Sequence, residues 1–207
     1  MAHRIREAMG PNAGDPPQGA EGKIVEIDEA YHGKREIPRI SSAQRKGRPF
    51  TKSGKSGGAE KRPIVALVER GGEARATHMH HVTGKNLRSY MVKNVSRKSR
   101  LHTDESNLYP TIGKEFATHE TVNHSIKEYA RGDVTTNSVE GFFGIFKRGM
   151  VGVYQHCGEQ HLQRYLNEFT FRYSNRSALG VEATQRAMFA ILGGVGKRLT
   201  YEGCATA

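Results

Sequence analysis

Cysteine is almost missing from this sequence, and so are long apolar runs, internal repeats and any excess of acid. With only Cys157 and Cys204, the chain can build neither a disulfide framework nor a four-cysteine zinc site, and it reads as a cytoplasmic protein. No apolar stretch approaches the roughly 20 residues that cross a bilayer, and the amino terminus lacks the continuous apolar core of an export signal, so no membrane partner is expected. Without a repeat, a solenoid is excluded and one folded domain is the natural reading of 207 residues.

What is present in excess is positive charge: 32 Lys and Arg stand against 21 Asp and Glu, a formal net charge of +11. Such a surface gains affinity for phosphate by releasing condensed counterions, which points to a polyanionic partner and first to nucleic acid. Ribosomal and membrane-surface proteins share this balance, so charge selects a class of partner and no chemistry.

Residues 1–22 hold a short charged stretch and then Pro11, Pro16, Pro17 and several glycines. Too little apolar surface is available there for burial, and a flexible linker or remnant is expected. From Lys23 to Asp28 apolar and polar residues alternate in a β-branched run, the pattern of a strand that ends on acid. Residues 34–62 carry ten basic side chains among Gly, Ser and Pro, a flexible basic loop. Pro63 to Arg70 and Ala74 to Val82 read as a hairpin turned by Gly71-Gly72, making an antiparallel meander of the first three strands. Thr83 suits the cap of a helix to about Asn94, and Arg100 to Asp104 is a short strand again ending in acid. The span 106–134 is mixed and polar, a short helix with loops. Thr135 or Thr136 caps a helix to about Met150, followed by helices through Leu162–Tyr173 and from Val181 to about Leu192. Strands first and helices last suit an α/β fold, a mixed sheet flanked by helices.

Two acids at strand ends, Asp28 and Asp104, and a third on a late helix, Glu140, suit a metal site. Hard divalent ions need several carboxylate oxygens converging from different elements. Thirty-five residues separate Asp104 from Glu140, and Lys147 lies seven beyond the glutamate, two helical turns on. An acid at one strand end is ordinarily a solvated turn residue, so the inference rests on the three together. Glu29 and Glu105 each follow an aspartate, and strand neighbours face opposite ways, so both are read as solvated or supporting residues. Among the histidines, His78 and His80 share one side of an edge strand without a set of four nitrogen or sulfur ligands, and a metal role there is not expected. Gly54-Lys55-Ser56 resembles a phosphate loop only faintly. Phe142, Phe143 and Phe146, like Leu162 to Tyr173, recur at helical spacing and read as core.

Asp, Asp, a 35-residue gap, Glu and a basic residue seven later resemble the signature of DDE transposases and retroviral integrases. The words around it resemble one bacterial subgroup, insertion-sequence transposases whose full-length members begin with a zinc ribbon. They are Val25-Glu26-Ile27-Asp28-Glu29-Ala30-Tyr31, His102-Thr103-Asp104-Glu105, Thr136-Asn137-Ser138-Val139-Glu140-Gly141-Phe142-Phe143, Phe146-Lys147-Arg148-Gly149 and His161 to Tyr173. The resemblance implies a ribonuclease-H-like, retroviral-integrase-like catalytic domain over 23–176, with 177–207 a carboxy-terminal helix and tail. It implies metal-dependent DNA cleavage and strand transfer. Asp28, Asp104 and Glu140 would hold two Mg²⁺ or Mn²⁺ ions, and Lys147 would touch DNA. Asn137 sits one turn before Glu140 on the same face and is a possible further ligand, but a carboxylate binds Mg²⁺ better than an amide does. Arg148 and the loop residues Arg45, Lys46, Arg48, Lys52 and Lys55 would hold phosphates without reading sequence. The partners implied are transposon ends and target DNA, bound by at least a homodimer in a bacterial cytoplasm, nucleoid-associated when on DNA. The cysteines of the ribbon are missing, and His3 to Met9 resembles the segment that follows it, so the sequence reads as an amino-terminally shortened version. A ribonuclease-H-like nuclease that cuts without joining is the rival enzyme, and a non-catalytic DNA-binding remnant is the rival of another class.

Overall fold

The computed structural model describes residues 2–12, 14–34, 61–123, 126, 128 and 130–197. Most of the basic loop expected at 34–62 lies outside the described residues, and with it Arg45, Lys46, Arg48, Lys52, Lys55 and the Gly54-Lys55-Ser56 sequence.

Strand β1 (Ile24–Lys34) continues six residues past the end expected at Asp28. β2 (Lys61–Glu69) pairs antiparallel with it and β3 (Ala74–His78) antiparallel with β2, the meander read from the sequence. Gly71, at φ +71°, supplies the turn between them in a conformation that a side chain would strain. β4 (Arg100–Thr103) then lies parallel to β1 on its free side, and β5 (Thr118–Thr121) lies parallel to β4, giving the order β3-β2-β1-β4-β5. β5 was hidden in the sequence: it is a four-residue edge strand with no buried side chain, so no apolar alternation marks it. A two-stranded ribbon, β6 (Ala130–Arg131) and β7 (Val134–Thr135), precedes the late helices.

Helices cover both faces. α2 (Gly84–Asn94) and α3 (Tyr109–Gly113) pack Leu87, Met91, Tyr109 and Ile112 onto Val25, Ile27, Val65 and Leu67. On the other face α4 (Asn137–Gly149) and α5 (Leu162–Ser174) bring Phe142, Phe146, Leu162 and Phe169 onto Ala30, Ile64, Ala66 and Val68. Burial on both sides explains why β2 is an apolar run where a half-exposed strand would alternate. The phenylalanines are core, as their spacing indicated. This is the α/β, ribonuclease-H-like arrangement that the resemblance implied. A last helix, α6 (Ala183–Leu192), starts at a reciprocal box in which Glu182 and Gln185 satisfy each other's backbone N–H. No helix among the described residues is long and apolar enough to cross a membrane.

The amino-terminal segment departs from the linker expected of it. Ala2–Ala8 forms helix α1, and Arg6 is buried: its Nε donates to Glu168 Oε2 at 2.8 Å, and its guanidinium lies 4.2 Å from the ring centre of Tyr165 and 5.0 Å from that of Tyr154. Composition missed this because polar groups, Arg6 beside two tyrosine rings and Glu7 bonded to Arg164, do the anchoring that apolar side chains ordinarily do. Gln18 continues the attachment, its backbone exchanging hydrogen bonds with Asn94 and Ser96.

Candidate active site

β1 and β4 are the central parallel pair, and their register ends at Ile27 opposite Thr103. Asp28 and Asp104 are the next residue on each strand, so the topology alone makes them neighbours. Beyond Ile27 and Thr103 the two strands no longer pair, so a long side chain of β1 can turn toward the β4 end. Glu29 does so: one carboxylate oxygen each from Asp28, Glu29 and Asp104 lie within 4.8 Å of one another. All three residues are half-buried. Glu29 was expected to face away as a solvated or supporting residue; it instead turns its carboxylate to the two aspartates. Its side chain is one carbon longer than that of aspartate, and the Tyr109 hydroxyl donates to its Oε1 at 2.6 Å, drawing it to the strand end. The other members are also held. The Glu29 amide donates to Asp28 Oδ1 at 2.7 Å and the Ser106 amide to Asp104 Oδ1 at 3.0 Å. Glu105, by contrast, is exposed, as expected.

Burial pushes the Asp28 carboxyl up to about 7, and the negative charges of Asp104, Glu29 and Glu140 push the same way, against the pull of the Glu29 backbone. Burial likewise raises Glu29 to about 7, opposed first by the Tyr109 hydrogen bond and reinforced by the charge of Asp104. Carboxylates crowded in this way, with no cation hydrogen-bonded to them among the described residues, suit a hard divalent ion, whose charge offsets their repulsion.

Glu140 lies in the first turn of α4 and is exposed. It is close enough for its charge to act on Asp28, but it is not one of the three oxygens within 4.8 Å. Its Oε1 accepts the Thr136 hydroxyl at 2.7 Å. Asn137 begins the same turn, exposed beside it. Lys147 and Arg148 are exposed farther along α4. The charge of Lys147 reaches His32, four residues past Asp28 on β1, where burial and the Arg62 and Lys147 charges hold the imidazole below its usual range.

The cap of α4 is the second correction. Thr136 makes no side-chain cap. The helix is capped instead from the sheet by Glu26, fully buried two residues before Asp28 on the same face of β1. Its Oε2 accepts the Ser138 and Val139 amides at 2.6 and 3.1 Å, and its Oε1 accepts the Ser138 hydroxyl at 3.0 Å. Arg70 donates to that Oε1 through Nε at 2.9 Å and Nη2 at 2.7 Å, and also bonds Thr135. A carboxylate favours a helix amino terminus through its unsatisfied N–H groups and positive end. One strand therefore carries Asp28 and, two residues earlier, the group that fixes the helix of Glu140. Glu26→Ala would empty a fully buried carboxylate site, leaving the half-buried Arg70 without its ion pair and the Ser138 and Val139 amides without their acceptor. It is expected to cost about 3–5 kcal/mol in urea unfolding; a loss under about 1 kcal/mol would deny the cap its role.

A mixed sheet in this order, with acids meeting where its central parallel strands end, defines a ribonuclease-H-like nucleic-acid-processing enzyme. Residues 19–174 match the family model of the ISXO2-like transposase domain, and the chain belongs to that family, as a DDE transposase catalytic domain. No curated protein matches the sequence significantly. Among solved structures it is similar to a chain of the CryoEM structure of a simian T-cell lymphotropic virus intasome in complex with the PP2A regulatory subunit B56 gamma. The identity is 14% and the TM-score 0.42, with 76% of this chain and 51% of that chain covered. The chain thus spans about half the length of that solved relative.

Proposed function

We propose that this domain cleaves DNA at the ends of an insertion sequence and joins the freed 3′-hydroxyl to target DNA, using Asp28, Asp104 and Glu140 as the metal-binding triad. The observation that carries the reading is the convergence of the Asp28, Glu29 and Asp104 carboxylates within 4.8 Å at the ends of β1 and β4, with the Glu140 charge acting on the same group. Two bound Mg²⁺ or Mn²⁺ ions would activate the attacking oxygen and neutralise charge on the leaving oxygen. Asp28 and Asp104 hold the site from the rigid centre of the sheet. Glu140 closes over it from α4, whose position Glu26 sets, and Asn137 stands one turn away as a further oxygen donor. Glu29 joins the cluster, ionised with the help of the Tyr109 hydroxyl. Lys147, Arg148 and the loop cations Arg45, Lys46, Arg48, Lys52 and Lys55 bind phosphates and position the duplex without selecting its sequence. Two transposon ends and a target call for at least a homodimer on DNA, working in a bacterial cytoplasm and nucleoid.

The test is a joining assay: a labelled 3′-hydroxyl end should become covalently linked to a second, unlabelled duplex in the presence of Mg²⁺ or Mn²⁺. Hydrolysis without joining would establish the nuclease reading, and binding without either reaction the remnant. Tyr109→Phe removes the one hydroxyl that donates to Glu29 while keeping the ring in the core. It is expected to raise the Glu29 carboxyl further and move the rising limb of the pH–rate profile to higher pH; an unmoved limb would remove Glu29 from the reacting cluster.

A further inference from the structure

A second set of ligands lies where the sequence suggested no metal. His78 ends β3 on the face that also carries the buried Ala74 and Ala76, and His80 follows just past the strand, the two rings 5.0 Å apart. Counting ligands along that strand stops at two. The fold adds a third, Glu159, which opens the short 3₁₀ turn Glu159–His161 leading into α5. His78 Nε2 lies 3.5 Å and His80 Nδ1 3.6 Å from the same oxygen, Oε1 of Glu159. One ligand atom from each residue falls within a common 4.8 Å.

We propose that His78, His80 and Glu159 form a mononuclear site for a borderline divalent transition metal, zinc above all, separate from the acidic cluster, which clamps the segment before α5 to the end of the edge strand. The two nitrogen–oxygen separations exceed the ~2.7–3.2 Å of hydrogen-bonded pairs. They match the ~3.4 Å edge of a tetrahedron whose ligands stand about 2.1 Å from a central ion. Water completes the fourth position beside the exposed His80.

The supports of the site are already in place. Gln163, near the start of α5, accepts the His78 amide at 2.9 Å and donates to the Ala76 carbonyl at 3.1 Å, so the strand that ends at His78 and the helix that follows the Glu159 turn are tied independently of any ion. The buried Arg62 sits 3.9 Å from the other carboxylate oxygen, Oε2, and donates to the Cys157 carbonyl at 2.7 Å, which orients Glu159 and fixes its loop. Such outer contacts aim the ligating atoms.

Chemistry separates the two sites. Two imidazoles and one carboxylate favour zinc, cobalt or nickel, whereas the all-oxygen cluster at Asp28 favours magnesium or manganese. They are also apart in space. His78 pairs with Ile64, and Ile64 with Ala30, which puts His78 about 10 Å across the sheet from β1.

The experiment uses the full, untagged chain with Asp28→Asn and Asp104→Asn together, so that the acidic cluster is silenced. Zn²⁺ is titrated against a chromophoric chelator, and Co²⁺ binding is followed by its visible spectrum. One Zn²⁺ per chain is expected, unaffected by millimolar Mg²⁺, with the intense cobalt bands of four-coordination. His80→Ala, a change at a side chain 78% exposed and therefore harmless to the fold, is expected to weaken Zn²⁺ by at least about 10–100-fold, with Glu159→Gln doing the same. Unchanged stoichiometry and affinity in His80→Ala would overturn the proposal, as would zinc that millimolar Mg²⁺ displaces.

Discussion

Asp28→Asn and Asp104→Asn are each expected to lower DNA cleavage and joining by at least ~10³-fold, equivalent to about 4 kcal/mol of transition-state stabilisation, while DNA affinity changes only a few-fold. Asparagine keeps the size and shape of the side chain and its fit at the strand end. What it removes is the negative charge that a divalent ion requires. In the proposed function phosphate contacts are assigned to cations elsewhere, Lys147 and Arg148 on α4 among them, so binding and chemistry should separate cleanly. If Glu140 completes the triad as proposed, Glu140→Gln is expected to behave in the same way despite its exposed position, since its charge already acts on Asp28 and the start of its helix is locked to β1 by Glu26. Asn137→Ala, one turn away, serves as the contrast and should retain activity within about 10-fold. Single-turnover cleavage of a labelled duplex, paired with a gel-shift titration, reads both quantities. Retained Mg²⁺-dependent cleavage in Asp28→Asn would remove the aspartate from the site.

The same Asp28→Asn substitution is expected to stabilise the metal-free chain at pH 8. In the fold Asp28 is raised from 3.8 to about 7 and Glu29 from 4.5 to about 7. The folded state therefore binds these protons more tightly than the unfolded one. Their contribution to stability is fully present below about pH 4, is lost as pH rises through 7, and becomes a standing penalty above that. Shifts of this size correspond to about 3–4 kcal/mol per group, and residual contact with water brings each to about 2 kcal/mol. For a chain of this length Asp28→Asn should then raise the melting temperature by about 4–8 °C at pH 8 and leave it nearly unchanged at pH 4. Mg²⁺ should stabilise the native chain at pH 8 and lose that effect toward pH 5, because ion and protons compete for the same oxygens. Comparing variant with native chain cancels carboxylates of the opposite kind. Glu115, for example, is held low by hydrogen bonds from Arg88 and Arg97. A variant less stable than the native chain at pH 8 would mean that Asp28 is held by favourable contacts and not by strain; sites built for a bound ion commonly give up stability in this way.

Asp28 and Asp104 were legible because their information is local: each is an acid closing an alternating, β-branched strand. The helix that carries Glu140 was legible from its apolar period, whereas the assignment of Glu140 to the metal site rests on the family resemblance and remains a proposal. Glu29 was not, because the alternation rule describes where a Cβ points and not where a longer carboxylate can bend once the neighbouring strand has stopped. Tyr109, which holds Glu29, sits in a span whose regular pieces among the described residues, a five-residue helix, a four-residue edge strand and a two-residue ribbon strand, are too short for any periodicity to show. Glu26 looked like the polar half of an alternating strand. Its burial depends on Arg70 and on the amides of a helix that begins more than 100 residues later, and no window along the sequence joins those three. The meander, the two middle helices and the core phenylalanines were visible because both periods, two and 3.6, are strong where each face is buried. Helix α1 failed the same test, since its anchors are polar: buried Arg6, Glu7 bonded to Arg164, and the His3 ring against His161 and Tyr165. The third ligand of the histidine pair was hidden for the same reason as Glu26: it comes from another element and only the fold supplies it.

Diffraction from crystals of the native chain soaked in Mn²⁺ at pH 8 tests the central claim most directly, because anomalous scattering locates the ion without reference to activity. An anomalous peak about 2.0–2.2 Å from carboxylate oxygens of both Asp28 and Asp104 is the result this account requires. Full manganese occupancy elsewhere on the chain, with those two carboxylates left unligated, would contradict it.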